Sequence, residues 1–162
     1  MTHTKTYIVS GKIRSGKTTA LQEWVKKTAN VVGFLSPDIN GKRMFLEIET
    51  GKLLAMEKSD GDLTIGKYNF AKDSFDYVEQ QIKKAWHLNK ADVIVLDEIG
   101  PLEIKKNLGF HQLLLHLLNT TEKVHPNLIL VVRDYCLEDF KSKYKFNNLK
   151  VLTITDFKNR SF

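Results

Sequence analysis

Eight residues near the start of the chain, Gly11-Lys12-Ile13-Arg14-Ser15-Gly16-Lys17-Thr18, have the types and spacing needed to hold a polyphosphate. The pattern is glycine, four residues, glycine, lysine, threonine. Its glycines allow a tight turn in which successive N–H groups point inward around a phosphate. A helix starting near Lys17 adds the positive end of its dipole, and Lys17 itself brings a point charge to the β- and γ-phosphates. Thr18 offers a hydroxyl to Mg²⁺, a hard cation that takes oxygen ligands. The expected nucleotide-binding set is therefore Gly11 to Thr18 together with Thr19. The bland alternative is a glycine-rich turn with a solvated lysine, and the apolar run before the first glycine argues against it. Arg14, inside the loop, is expected to face water.

A second group of residues supplies what such a loop lacks. The β-branched run Val93-Ile94-Val95-Leu96 leads into Asp97-Glu98. Asp97 is placed to serve the Mg²⁺ shell with Thr18, and Glu98 to orient and polarise a water for in-line attack on a γ-phosphate. The alternative for the pair is two capping or solvated carboxylates in a turn. Arg133 follows another buried-strand pattern, Leu128 to Val132. Two readings stay open for it: contact with the γ-phosphate, where it would stabilise developing charge, or a surface salt bridge with Asp134 or Glu138.

These residues need elements to carry them. Strand-like runs are expected at Thr6–Ser10, Val31–Leu35, Val93–Leu96, Leu128–Val132 and Leu149–Thr155, and helices at Lys17–Ala29, from Asp73 or Ser74 to about Leu88, Phe110–Asn119 and Cys136–Tyr144. Phe75, Val78, Ile82 and Trp86 recur at helical spacing and are expected inside, as is Trp24. Lys42 to Glu57 alternates like a β-hairpin around Thr50-Gly51, read as an excursion from the main sheet. Gly61 to Gly66 reads as loop and Lys67 to Phe70 as a short strand. Strands alternating with helices predict one α/β domain over residues 1–162, doubly wound, with helices on both faces.

Composition narrows the class without naming it. With 162 residues, 42% hydrophobic and 27% charged, the chain is neither disordered nor fibrous. The formal charge of +6 and sequence pI of 9.3 suit an anionic ligand, but lysines and arginines are scattered, so a nucleic-acid partner is not expected. Nothing resembles a signal peptide or the stretch of about 20 apolar residues a membrane helix needs. One cysteine, Cys136, cannot pair internally, which fits a reducing compartment and a cytoplasmic setting. His111, His116 and His125 lack metal-ligand spacing and are read as structural.

The chain resembles the small, thermophilic-type nucleoside-triphosphatases, a family that includes the cancer-related nucleoside-triphosphatase. The likeness rests on the phosphate loop, Gly33-Phe34, the hairpin with Gly51, Gly66-Lys67-Tyr68 and Asn159-Arg160. It rests most on Val95-Leu96-Asp97-Glu98-Ile99-Gly100-Pro101-Leu102-Glu103. Departures occur after Phe34, where Ser36-Pro37-Asp38 and a shorter loop to Lys42-Arg43 replace a run with glutamates and an arginine. Leu102 also stands in place of a methionine. The resemblance implies a three-layer P-loop NTPase fold with a mainly parallel sheet and an inserted β-hairpin. It also implies Mg²⁺-dependent hydrolysis of ATP, GTP and other nucleoside triphosphates. Asp97 and Glu98 would be the metal and water-activating carboxylates, Glu103 a further acidic position, and Asp156 to Arg160 would lie beside the base. Two rivals share the same loop: a small-molecule or nucleotide kinase, and a non-catalytic nucleotide-binding switch. A kinase commonly adds an arginine-rich lid, yet Gly41 to Lys67 holds Arg43 alone; a pure binder has no use for Glu98 as a water-polarising group. Base preference and oligomeric state are not legible from these motifs.

Overall fold

A computed structural model describes residues 3–12, 15–120 and 124–162. β1 (Thr6–Gly11) runs into the glycine loop, α1 (Lys17–Lys26) follows, and the chain returns as β2 (Val31–Leu35). Next come β3 (Asp38–Ile39), β4 (Lys42–Glu47), β5 (Leu53–Ala55), and a small ribbon of β6 (Leu63–Ile65) and β7 (Tyr68–Phe70). α2 (Lys72–Leu88) leads to β8 (Val93–Ile99), α3 (Pro101–Lys106), α4 (His111–Asn119) and β9 (Asn127–Arg133). A 3-10 turn (Asp134–Cys136), α5 (Leu137–Lys143), β10 (Leu149–Leu152) and α6 (Ile154–Lys158) complete the order.

The most apolar runs occupy the middle of the sheet, whose order is β10-β1-β9-β8-β2-β4-β3 with β5 on β4. The first five strands are parallel. Such strands are covered on both faces, and their side chains divide by parity. Ile8, Ile94, Leu96, Leu128 and Leu130 pack with the buried faces of α2 and α4. Tyr7, Val9, Val93, Val95, Ile129 and Val131 pack on the other side with Leu21 of α1 and Phe157 of α6. The result is the expected three-layer α/β arrangement with a mainly parallel sheet.

Phe75, Val78, Ile82 and Trp86 face the core as their spacing predicts, whereas Leu88 is exposed. Trp24 is only partly buried, edge-on to Phe157 and Phe162. Trp86 stacks on His125 at 4.2 Å between ring centroids, and His111 Nδ1 lies 2.6 Å from the Tyr144 hydroxyl.

Three expectations change, and one helix, α3, is added. The hairpin around Gly51 is present, but β4 pairs antiparallel with β2, so it extends the main sheet instead of leaving it. That pairing covers an edge that β2 would otherwise expose. The segment read as loop contains β6, which pairs with β7. Gly100-Pro101 opens α3 because proline suits a first helical position, where its missing N–H has no partner to lose. The last strand stops at Leu152, since Thr153 and Asp156 exchange backbone-to-side-chain hydrogen bonds of 3.1 Å that cap α6. Among the described residues no helix is long and apolar enough to cross a membrane.

Candidate functional site

The glycine loop leaves the carboxyl end of β1 and delivers α1 with Lys17 as its first residue. Gly16, just before it, has φ 88°, a left-handed conformation that glycine adopts without steric cost. Lys17 Nζ donates to the carbonyls of Gly11 at 2.8 Å and Lys12 at 2.7 Å, and lies 3.4 Å from Ser15 Oγ. Burial lowers the Lys17 pKa, partly countered by Glu98 and Asp97. Its charge is thus held at the loop by carbonyl oxygens of the loop itself. Ser15 and Thr19 are exposed. Ile13 and Arg14 lie outside the described residues.

β9 sits between β1 and β8, which decides how the remaining groups meet. Gly11 and Arg133 are register partners, so Arg133 emerges beside the root of the loop. One strand further on, Asp97 is 1% exposed. Its Oδ2 accepts from Thr18 Oγ1 at 2.9 Å and from the Ser36 amide at 3.0 Å, and its Oδ1 accepts from the Glu98 amide at 2.8 Å. Burial and the neighbouring Glu98 push Asp97 up to about 6, against those three hydrogen bonds. A buried carboxylate with no cation in contact is costly, and a bound cation would reverse that cost.

Glu98 reaches the same place by a break in the strand. Leu96 pairs with Leu130 and Ile99 with Val132, so β8 carries one residue more than β9 across this interval. Glu98 has φ 65° there. The extra residue shifts the parity: Ile99 packs on the same side as Ile94 and Leu96, the place position 98 would otherwise take. The bulge therefore spares Glu98 from the core and turns it to the sheet edge, where left-handed backbone at a non-glycine costs about 1–3 kcal/mol. Bulges and strain of this kind gather at functional sites.

The Glu98 carboxylate lies between two arginines. Oε1 accepts from Arg43 Nη1 at 2.8 Å and Oε2 from Arg133 Nη2 at 3.0 Å. Arg133 also donates to the Tyr135 hydroxyl at 3.3 Å. Burial alone lowers the Arg133 pKa, but Glu98 and Tyr135 more than offset it and hold the guanidinium above its ordinary value. Of the two readings open for Arg133, the surface bridge to Asp134 or Glu138 is not what forms: its acidic partner is Glu98, and Glu138 pairs with Lys141 at 2.8 Å.

Lys17, Thr18, Thr19, Arg43, Glu98 and Arg133 line one cavity of about 350 Å³. With cations from three elements, a hydroxyl and a carboxylate, it can hold an anionic ligand and take a proton beside it. Hard oxygen donors at Thr18 and Asp97 suit Mg²⁺ in type, and the Ser36 hydroxyl, next to the amide bound to Asp97, is buried with no hydrogen-bond partner among the described residues.

Arg43 is the site residue that the sequence reading missed. Arg43 registered there as the end of a short loop and as the lone arginine where a kinase lid would lie, and it reaches Glu98 through the pairing of β4 with β2. Glu103 is also clarified. It is 1% exposed, outside the cavity, and accepts from the amides of Gly100 at 3.0 Å and Phe110 at 3.1 Å. It thereby ties the turn after β8 to the start of α4. Asp38 is exposed and accepts from the Gly41 amide at 2.8 Å.

Residues 6–161 match a family model described as NTPase. Nucleoside-triphosphatase THEP1 of Saccharolobus solfataricus is 36% identical over 108 residues, 60% of this chain and 61% of that protein. Nucleoside-triphosphatase THEP1 of Methanopyrus kandleri is 30% identical over 115 residues, 62% of this chain and 60% of that one. The chain thus spans about three fifths of the length of the curated relatives it matches. A crystal structure of THEP1 from the hyperthermophile Aquifex aeolicus superposes with a TM-score of 0.69, covering 92% of this chain and 89% of that one. At 17% identity this last likeness concerns the fold.

Proposed function

The chain belongs to the NTPase family, and from that premise we propose that it is a Mg²⁺-dependent nucleoside-triphosphatase, cleaving ATP, GTP and other nucleoside triphosphates to the diphosphate and phosphate. The observation that carries the reading is the bulge at Glu98, which sets a carboxylate on the cavity that also holds Lys17 and Thr18.

In this reading the loop amides and Lys17 bind the β- and γ-phosphates. Thr18 and Asp97 are the residues that would hold Mg²⁺, which when bound neutralises charge on the phosphate oxygens. Glu98 accepts a proton from a water whose oxygen attacks the γ-phosphorus. The bond from that phosphorus to the β–γ bridging oxygen breaks, and the diphosphate leaves with the electron pair. Arg133, beside Glu98, faces the charge that develops. A cytoplasmic setting is part of the proposal and rests on Cys136, a single free and buried thiol.

The test is phosphate release from ATP, GTP, CTP and UTP, with Mg²⁺ and with the metal chelated. Release from several triphosphates in Mg²⁺ alone is expected. No release unless an acceptor alcohol is added would instead identify a transferase and sink the hydrolytic reading.

A further inference from the structure

Both oxygens of Glu98 are occupied. Arg43 covers Oε1 at 2.8 Å and Arg133 covers Oε2 at 3.0 Å, and the Glu98 side chain is 13% exposed. A carboxylate with a guanidinium on each oxygen offers an incoming water no oxygen of its own until one of them leaves. Whatever uncovers it must offer an arginine an anion of similar strength, and a phosphate does so in the same planar, forked geometry.

The two arginines are anchored differently. Arg133 belongs to β9 in the middle of the sheet, donates to Tyr135, and lies across Gly100, where an added Cβ would meet its Cδ at 3.2 Å. Arg43 belongs to β4, added at the antiparallel side of the sheet. Besides Glu98 it is held by the Ser36 carbonyl, to which the same Nη1 donates at 3.0 Å. Transfer of its guanidinium from carboxylate to phosphate keeps a cation paired throughout, so the exchange exposes no lone charge.

We infer that Arg43 reads the terminal phosphate: it rests on Glu98 Oε1 when the cavity holds no γ-phosphate, and shifts to that phosphate when a triphosphate binds, leaving Oε1 open to water. This rests on the function proposed above. The same exchange discriminates triphosphate from diphosphate, because a diphosphate presents no group to draw Arg43 away. Product would be released as Arg43 returns to Glu98.

The experiment compares binding of a non-hydrolysable β,γ-methylene triphosphate with that of the matching diphosphate, both with Mg²⁺, in the parent chain and in Arg43→Ala. The variant is expected to weaken triphosphate binding by ~10-fold or more while diphosphate binding changes by less than ~3-fold. Equal losses for both ligands, or no loss for either, would overturn the inference. Thermal melting without nucleotide reports whether Arg43→Ala is folded. Should it not be, Arg43→Lys serves, since it keeps the charge but loses the fork; a preference for triphosphate reduced by ~3-fold or more supports the inference, and an unchanged preference overturns it. A parent chain that binds both ligands yet releases no phosphate would defeat hydrolysis and leave this inference standing. One that binds neither would remove both.

Discussion

Thr18 Oγ1 donates to Asp97 Oδ2 across 2.9 Å, joining residues 79 positions apart. The hydrogen bond ties the first turn of α1 to the end of β8, with β9 lying between the strands that deliver them. It also defines where Mg²⁺ is proposed to sit.

Asp97→Asn removes the carboxylate from that pair while keeping an oxygen. The Mg²⁺ concentration needed for half-maximal phosphate release should rise by ~10-fold or more, because a neutral oxygen is a weaker partner for a hard cation. A Mg²⁺ titration of turnover checks this, and an unchanged requirement would place the metal elsewhere.

Lys17→Ala takes away the ammonium now held by Gly11 and Lys12 carbonyls. Affinity for a fluorescent triphosphate should fall by ~100-fold or more, the scale expected when a charge-assisted hydrogen bond to phosphate is removed from a partly buried loop. Binding as tight as the parent's would contradict the loop's role.

Gly33→Ala should destabilise the fold without touching the cavity. Gly33 has φ +123°, and an added Cβ would fall 2.1 Å from the Val95 carbonyl oxygen on the neighbouring central strand. Strain and clash together should cost ~3 kcal/mol or more and lower the melting temperature by ~6–12 °C. A melting curve superposable on the parent's would show that the strand has room to shift.

Glu103 predicts a pH dependence of stability. Burial pushes it from the ordinary 4.5 up to about 7, with the Gly100 and Phe110 amides opposing. Folding therefore takes up a proton in this range. The stability this brings is fully present below pH 4.5 and is lost as pH rises through 7, on the order of 3 kcal/mol in all. Glu103→Gln cannot ionise, so its denaturation midpoint should gain on the parent's as pH rises from 4.5 to 7. A constant gap across that range would remove Glu103 as the source.

What was legible in the sequence was what is local. The loop from Gly11 to Thr18 is a contiguous signal, and so are Asp97-Glu98 and Arg133 at the ends of apolar runs. The alternation of Tyr7, Ile8 and Val9 between two cores follows directly from strand periodicity. The bulge at Glu98 was hidden because it is a property of pairing with β9, visible only when Ile99 is seen on the face of Leu96. Arg43 was missed for a related reason: its ion pair with Glu98 spans 55 positions and depends on where the hairpin docks. The caps of α3 and α6 were in the sequence, at Pro101 and at Thr153 with Asp156, but no helix was read at Pro101 and the last strand was run on to Thr155.

The central claim is that Glu98 takes the proton from the attacking water, and Glu98→Gln tests it most directly. Glutamine keeps the size and loses the base, and it frees Arg43 and Arg133 from a charged partner. In single-turnover assays with Mg²⁺, the variant should bind the triphosphate at least as tightly as the parent and release phosphate ~100-fold more slowly or worse. Phosphate release at the parental rate would contradict the account.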